Sequence, residues 1–200
     1  MDNSELQKFY SAVYEKGEEN YYSKFVASKS ISENDNVVME VTDFRHKTVL
    51  DVGCGTGELA IKIAKSGAKM VRGIDYAASA IALAKSKNSY SNLDFRNISL
   101  NDWEGMVDVV ISCGALEHMD RPWEVLQQFT EFIKPGGEII ITCPHFFNLR
   151  GFIWVGLQKL FDDPKSLTDL HSIAPFDVQK WIKDTDLQLK AIKTFDSERA

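Results

Sequence analysis

The sequence has few cysteines, no excess of basic charge and no long apolar run. Its three cysteines, Cys54, Cys113 and Cys143, are far apart and odd in number. Their spacing matches no zinc pattern and reads as reduced thiols of a cytoplasmic protein. The 23 basic residues are outnumbered by 29 acidic ones, for a net charge of −6. General nucleic-acid binding, which rests on cationic contacts to phosphate, is therefore not expected. No apolar stretch approaches the length of a bilayer span. The start, MDNSELQKFY, lacks the cationic and then apolar pattern of a secretory leader. Repeats, low-complexity tracts and an interdomain linker are missing too, so the 200 residues read as one domain with a sizeable core.

What is present, from Thr48 onward, is an alternation of strand-like and helix-like segments. TVLDV, KMVRGID, LDFRN, VDVVIS and EIIITC are short apolar strand candidates. Between them lie GELAIKIAKSGA, with Gly67 as its stop, and the alanine-rich YAASAIALAKSKN. DRPWEVLQQFTEFI follows, with Asp120 expected at the N-cap, Pro122 in the first turn, and KPGG as the breaker. Strands apolar on both faces and alternating with helices predict a doubly wound, mostly parallel α/β sheet. Such sheets bind ligands outside the carboxyl ends of their strands. Residues 51–57, Asp75, 97–99, 113–114 and 143–145 fall there.

VLDVGCGTGELA, at 49–60, places an acid at a strand end and then three alternating glycines. A dinucleotide loop needs G-x-G-x-x-G, but Glu58 occupies the third glycine position, where its charge would repel a pyrophosphate. No Gly-Lys-Ser/Thr follows, so a P-loop fails as well. The pattern D-x-G-x-G-x-G resembles the first motif of class I S-adenosylmethionine-dependent methyltransferases, whose cofactor is cationic at sulfur and carries no phosphate. The resemblance extends from Thr48 to Pro144 through GIDYAASAIALAK, VDVVISCGALEHM and IKPGGEIIITCP. It is nearest the broad small-molecule group that includes ubiquinone-biosynthesis methyltransferases. It implies cofactor contacts at Asp51, Gly53, Cys54, Gly55, Gly57, Asp75, Tyr76, Ile98, Ser99 and Cys113. Asp51 would orient the methionyl ammonium, Asp75 would receive the ribose hydroxyls, and Tyr76 would lie against adenine. Three departures stand out: Ile98 and Ser99 replace an acid often found after the third strand, Ala77 is a weak helix cap, and LQLKAIKTF supplies only one strand of a closing hairpin. That last departure implies either a truncated C-terminus or a final strand elsewhere.

The expected reaction is methyl transfer to O, N or C of a small-molecule acceptor, with no metal. The alternatives are a non-catalytic S-adenosylmethionine-binding module and a nicotinamide-dependent oxidoreductase. His145, His171 and His118 are the candidate acceptor-side bases; His46 reads as exposed, and Cys113 as packing rather than a nucleophile. The expected division is an N-terminal helical cover over 1–46, with Tyr14, Tyr21 or Tyr22 reaching inward, and a cofactor-binding core over 47–145. An acceptor-side lid follows over 146–175, and a C-terminal helix and strand over 176–200. The lid carries PHFFNLRGFIWVGLQKLFDD, whose apolar residues over 146–161 suit an apolar or lipid-like acceptor, a peripheral membrane contact with Arg150 and Lys159 at the head groups, or a homodimer face.

Overall fold

A computed structural model describes residues 29–144 and 171–193, together with Lys8, Ile153, Gly156 and Leu160. The expectations placed on Tyr14, Tyr21, Tyr22, His145, Arg150, Phe152, Trp154 and Lys159 lie outside the described residues. Ile153 and Leu160 are helical and exposed, at 55% and 78%.

The described elements run α1 (Lys29–Val41), β1 (Thr48–Val52), α2 (Glu58–Lys65), β2 (Met70–Asp75), α3 (Ala78–Lys87), β3 (Leu93–Asn97), β4 (Val107–Cys113), α4 (Pro122–Phe132), β5 (Ile133–Thr142) and α5 (Pro175–Trp181). Short 3₁₀ turns at Leu100–Asp102 and Leu116–His118 flank β4. Among the described residues the strands form one parallel sheet in the order β3-β2-β1-β4-β5. The order reverses between β1 and β4, which opens a crevice at their carboxyl ends.

Alternation along the strands divides the core. Val49, Val71, Phe95, Val109 and Ile111 face α1, α2 and α3, where they pack on Val38, Leu59, Ile63 and Ile81. Leu50, Val52, Ile74 and Val110 face the other way, onto Leu126, Phe129 and Trp181 of α4 and α5. Asp51 therefore lies on the α1–α2 side of the sheet, in step with Val49. Ser66 ends α2, and Gly67 follows at φ +97, its N–H donating to the Ala64 carbonyl as a helix stop should.

Three expectations change. Arg121, not Asp120, holds the N-cap position of α4 and makes no side-chain cap; Pro122 begins the helix because a residue before proline avoids the α region. KPGG does not separate helix from strand. It is an irregularity inside β5, where the register jumps from Val107↔Ile133 to Val109↔Glu138 and Gly136 takes φ +77. LQLKAIKTF, at 187–195, reads as a closing strand; its described part, 187–193, pairs with no described strand. Lys190 instead holds that segment to β5 through an ion pair with Glu138, 2.5 Å.

Candidate cofactor and acceptor site

The loop between β1 and α2 closes on the end of β2. Gly53 and Cys54 donate their N–H groups to the Ile74 carbonyl at 2.9 and 3.1 Å. The Gly55 N–H donates to Asp75 Oδ2 at 3.0 Å, and the Ala77 N–H to Asp75 Oδ1 at 2.8 Å. Asp75 thus pins the glycine loop and the residue that precedes α3, while Ala77 leaves the helix without a side-chain cap. A carboxylate has about four acceptor positions, so each oxygen of Asp75 retains one.

Two of the glycines serve the protein's own packing. A Cβ on Gly57 would lie 2.4 Å from the Phe95 ring, and one on Gly53 would lie 2.6 Å from Ala115 Cβ. Both residues also have positive φ, as does Gly55 at 52°. Phe95 and Ala115 thus occupy the space that a side chain at two of these glycines would need. Glu58, the first residue of α2, accepts from Thr56 Oγ1 and from Lys87 Nζ at 2.9 Å. Its carboxylate stands where a dinucleotide loop would hold a pyrophosphate, which counts against the nicotinamide reading.

Asp51 is the electrostatic centre. It is 2% exposed and no described residue donates a hydrogen bond to it; burial, reinforced by Asp35, Asp75 and Glu58, pushes its carboxyl up to about 7. Such a group is relieved by a cation and by nothing anionic. Burial also raises Cys54, and pushes Cys113 and Cys143 up to about 12. All three thiols are protonated at neutral pH, so Cys113, which accepts from Thr142 Oγ1 at 3.2 Å, is no nucleophile.

Tyr76 is half-buried beside Asp75, and Ile98 packs on the α4–α5 layer. The Ser99 hydroxyl accepts from the Asn101 N–H and caps the following 3₁₀ turn, which leaves it its donor and one acceptor position. His118 ends the turn after β4 and is half-buried. The His171 N–H donates to the Glu117 carbonyl at 3.1 Å, and its ring Nε2 lies 2.9 Å from the Asp120 carbonyl and edge-on to Trp123. A carbonyl only accepts, so Nε2 carries the proton and Nδ1 is the basic atom. Glu117, 2% exposed, sits in the same place. Sequence reasoning passed over it and over Asp35; only the pattern CGALEHM, already suspect for His118, pointed near Glu117. His46 is exposed, as expected, at φ +63. Among the described residues no cluster of His, Cys, Asp and Glu is disposed to hold a metal.

The family described as Methyltransferase domain matches residues 43–186, a span that includes the loop, Asp51, Asp75 and His171. The chain belongs to that family. A ubiquinone biosynthesis O-methyltransferase of Pseudomonas paraeruginosa is 31% identical over 170 residues, 78% of this chain and 71% of that protein. The solved S-adenosylmethionine-dependent methyltransferase of Listeria monocytogenes is 28% identical at a TM-score of 0.52, over 57% of this chain and 56% of that one. Magnesium protoporphyrin IX methyltransferase of Synechocystis, with bound SAH, shares the fold at a TM-score of 0.69 and 18% identity, covering 92% of this chain and 88% of its own. The cofactor is S-adenosylmethionine, and the buried, acid-flanked Asp51 fits its positive charge.

Proposed function

We propose that this methyltransferase moves the methyl group of S-adenosylmethionine to an oxygen of a small apolar acceptor by in-line displacement. What carries the reading is the similarity to ubiquinone biosynthesis O-methyltransferases over more than two thirds of both chains. In this reading Asp51 faces the cofactor's ammonium, the remaining acceptor positions of Asp75 take the ribose hydroxyls, and the 53–57 loop, Tyr76, Ile98 and Ser99 line the rest. The bound cofactor supplies a methyl group already activated by the sulfonium, so the chain's task is alignment and exclusion of water.

An oxygen acceptor must also lose its proton. Nδ1 of His171 is the proposed base: the Asp120 carbonyl fixes the tautomer and orientation of the ring, and Nδ1 makes no hydrogen bond among the described residues. His118 and His145 are the other acceptor-side groups. His171→Gln is expected to lower kcat by about 10²–10⁴ while leaving cofactor affinity intact. An unchanged kcat would remove His171 from the role.

The exposure of Ile153 and Leu160 supports an apolar surface over 146–161 that meets the acceptor or a lipid surface. Replacing Phe152 and Trp154 by serine is expected to reduce turnover or liposome sedimentation without loss of cofactor binding. If both are unchanged, that surface has another use.

The test of the whole reading is incubation with methyl-labelled cofactor and a panel of hydroxylated apolar compounds, with the product located by mass spectrometry. Label on an acceptor oxygen is expected. Label on nitrogen or carbon would reassign the acceptor, and cofactor binding with no transfer to any compound of the panel would favour the non-catalytic module.

A further inference from the structure

His171 is tied to the segment between β4 and α4 by its backbone, by a ring nitrogen and by the ring itself. Its N–H donates to the Glu117 carbonyl at 3.1 Å, and its ring Nε2–H donates to the Asp120 carbonyl at 2.9 Å. The imidazole stands edge-to-face with the indole of Trp123, centroids 5.9 Å apart and planes crossing at 84°. That is a favourable arrangement for two aromatic rings. Trp123 directly follows Pro122, the residue that begins α4. Trp181, the last residue of α5, backs it at 6.3 Å with a tilt of 56°. Trp123 is 39% exposed, so it is a rim residue and not part of the core.

These contacts do different work. The backbone bond to Glu117 sets where His171 stands. The bond to Asp120 selects the Nε2–H tautomer and holds one corner of the imidazole. It leaves the plane of the ring free to tilt, because the outer torsion of a histidine side chain has broad minima. Nδ1 swings as the ring tilts. A flat indole set across the imidazole at nearly a right angle removes that freedom, and Trp181 keeps the indole in place.

We propose that Trp123 is a positioning residue that acts through His171: it fixes the plane of the imidazole and so aims Nδ1 at the acceptor's hydroxyl. This rests on the reading of His171 as the base. Proton removal needs that nitrogen within hydrogen-bond reach of the hydroxyl, and a ring free to tilt spends only part of its time there.

Imidazole proton exchange, read from ¹H–¹⁵N spectra of histidine-labelled protein with S-adenosylhomocysteine added, tests the positioning without an acceptor. The His171 signal is assigned by its loss in His171→Gln. In Trp123→Leu the Nε2 proton is expected to exchange with water roughly tenfold faster, the weight of one aromatic contact, while Trp123→Phe stays near the wild-type rate. With the panel compound that accepts label, Trp123→Leu is expected to lower kcat about tenfold and to leave KM and cofactor affinity little changed. In the His171→Gln background the same substitution should have no further effect on kcat. An unaltered exchange rate or kcat in Trp123→Leu, or an equal loss of kcat with and without His171, would overturn the proposal. If no panel compound accepts label, the exchange rate decides alone. Should Trp123→Leu fail to fold, Trp123→Met, which keeps a long apolar chain against Trp181, takes its place; if neither folds, Trp123 is a structural residue and the proposal falls. A His171→Gln enzyme with unchanged kcat would refute the base reading itself, a different failure from an unaltered exchange rate.

Discussion

Asp51 is held in a state that the unfolded chain does not share. Folded, its carboxyl titrates near 7; unfolded, near its ordinary 3.8. Between those values the native protein holds a proton that the unfolded chain has lost, so the contribution to stability is full below about pH 4 and lost as pH rises through 7. A tenfold difference in proton affinity between the two states corresponds to about 1.4 kcal/mol, offset in an asparagine variant by about 1–3 kcal/mol for a buried amide without a partner. Asp51→Asn is therefore expected to be more stable than the wild type at about pH 8, by roughly 1–3 kcal/mol in urea unfolding. The gain should shrink as pH falls and give way near pH 4 to a loss of about 1–3 kcal/mol, and cofactor affinity should fall. A variant less stable at both pH values would mean that Asp51 supports the apo fold. Gly57→Ala is expected to lose about 2–4 kcal/mol, because alanine resists the left-handed conformation and its Cβ meets Phe95. At this scale the sequence made the acids and glycines legible through their spacing. It did not reveal Phe95 and Ala115 as the neighbours that require two of those glycines, since both come from segments distant in the chain. Asp35 and Glu117 stayed hidden for the same reason, being isolated acids that only the fold buries.

Among the elements, the central strands were readable from apolar runs because both of their faces are covered. The KPGG irregularity was not, since a Pro-Gly-Gly run is equally good as a helix breaker and as a bulge. A clamp of polar side chains holds this region at the far end of the sheet from the site. Asp108 accepts from the Thr48 N–H and hydroxyl at 2.7 and 2.6 Å and from Lys134 at 2.9 Å, joining the start of β1 to β4 and β5. Those bonds hold its carboxyl down, to about 2. Its folded value is depressed, so this stability is present above about pH 4 and lost as pH falls through 2. With the group partly exposed, Asp108→Ala is expected to lose only about 1–2 kcal/mol at neutral pH. Its unfolding curve should approach the wild type's as pH falls from 4 toward 2. A difference independent of pH would assign the loss to packing instead.

For the molecule as a whole, the parallel sheet was legible from alternation, whereas the strand order and its reversal between β1 and β4 come from the structure. The closing strand was not legible: 187–193 has strand-like composition, yet ion pairs hold it and it forms no ladder with any described strand. The central claim is that a cation-seeking crevice takes S-adenosylmethionine. Its acid, Asp51, is buried, feels the charges of Asp35, Asp75 and Glu58, and has no ion pair among the described residues. The most direct measurement is calorimetric titration of the intact protein with S-adenosylmethionine at pH 7 in two buffers of different ionisation enthalpy, with NAD as the comparison. Saturable binding that releases about half a proton per cofactor is expected, because the arriving cation drives Asp51 to its charged form, and NAD should not bind. Binding of NAD, or binding of S-adenosylmethionine without proton release, would contradict it.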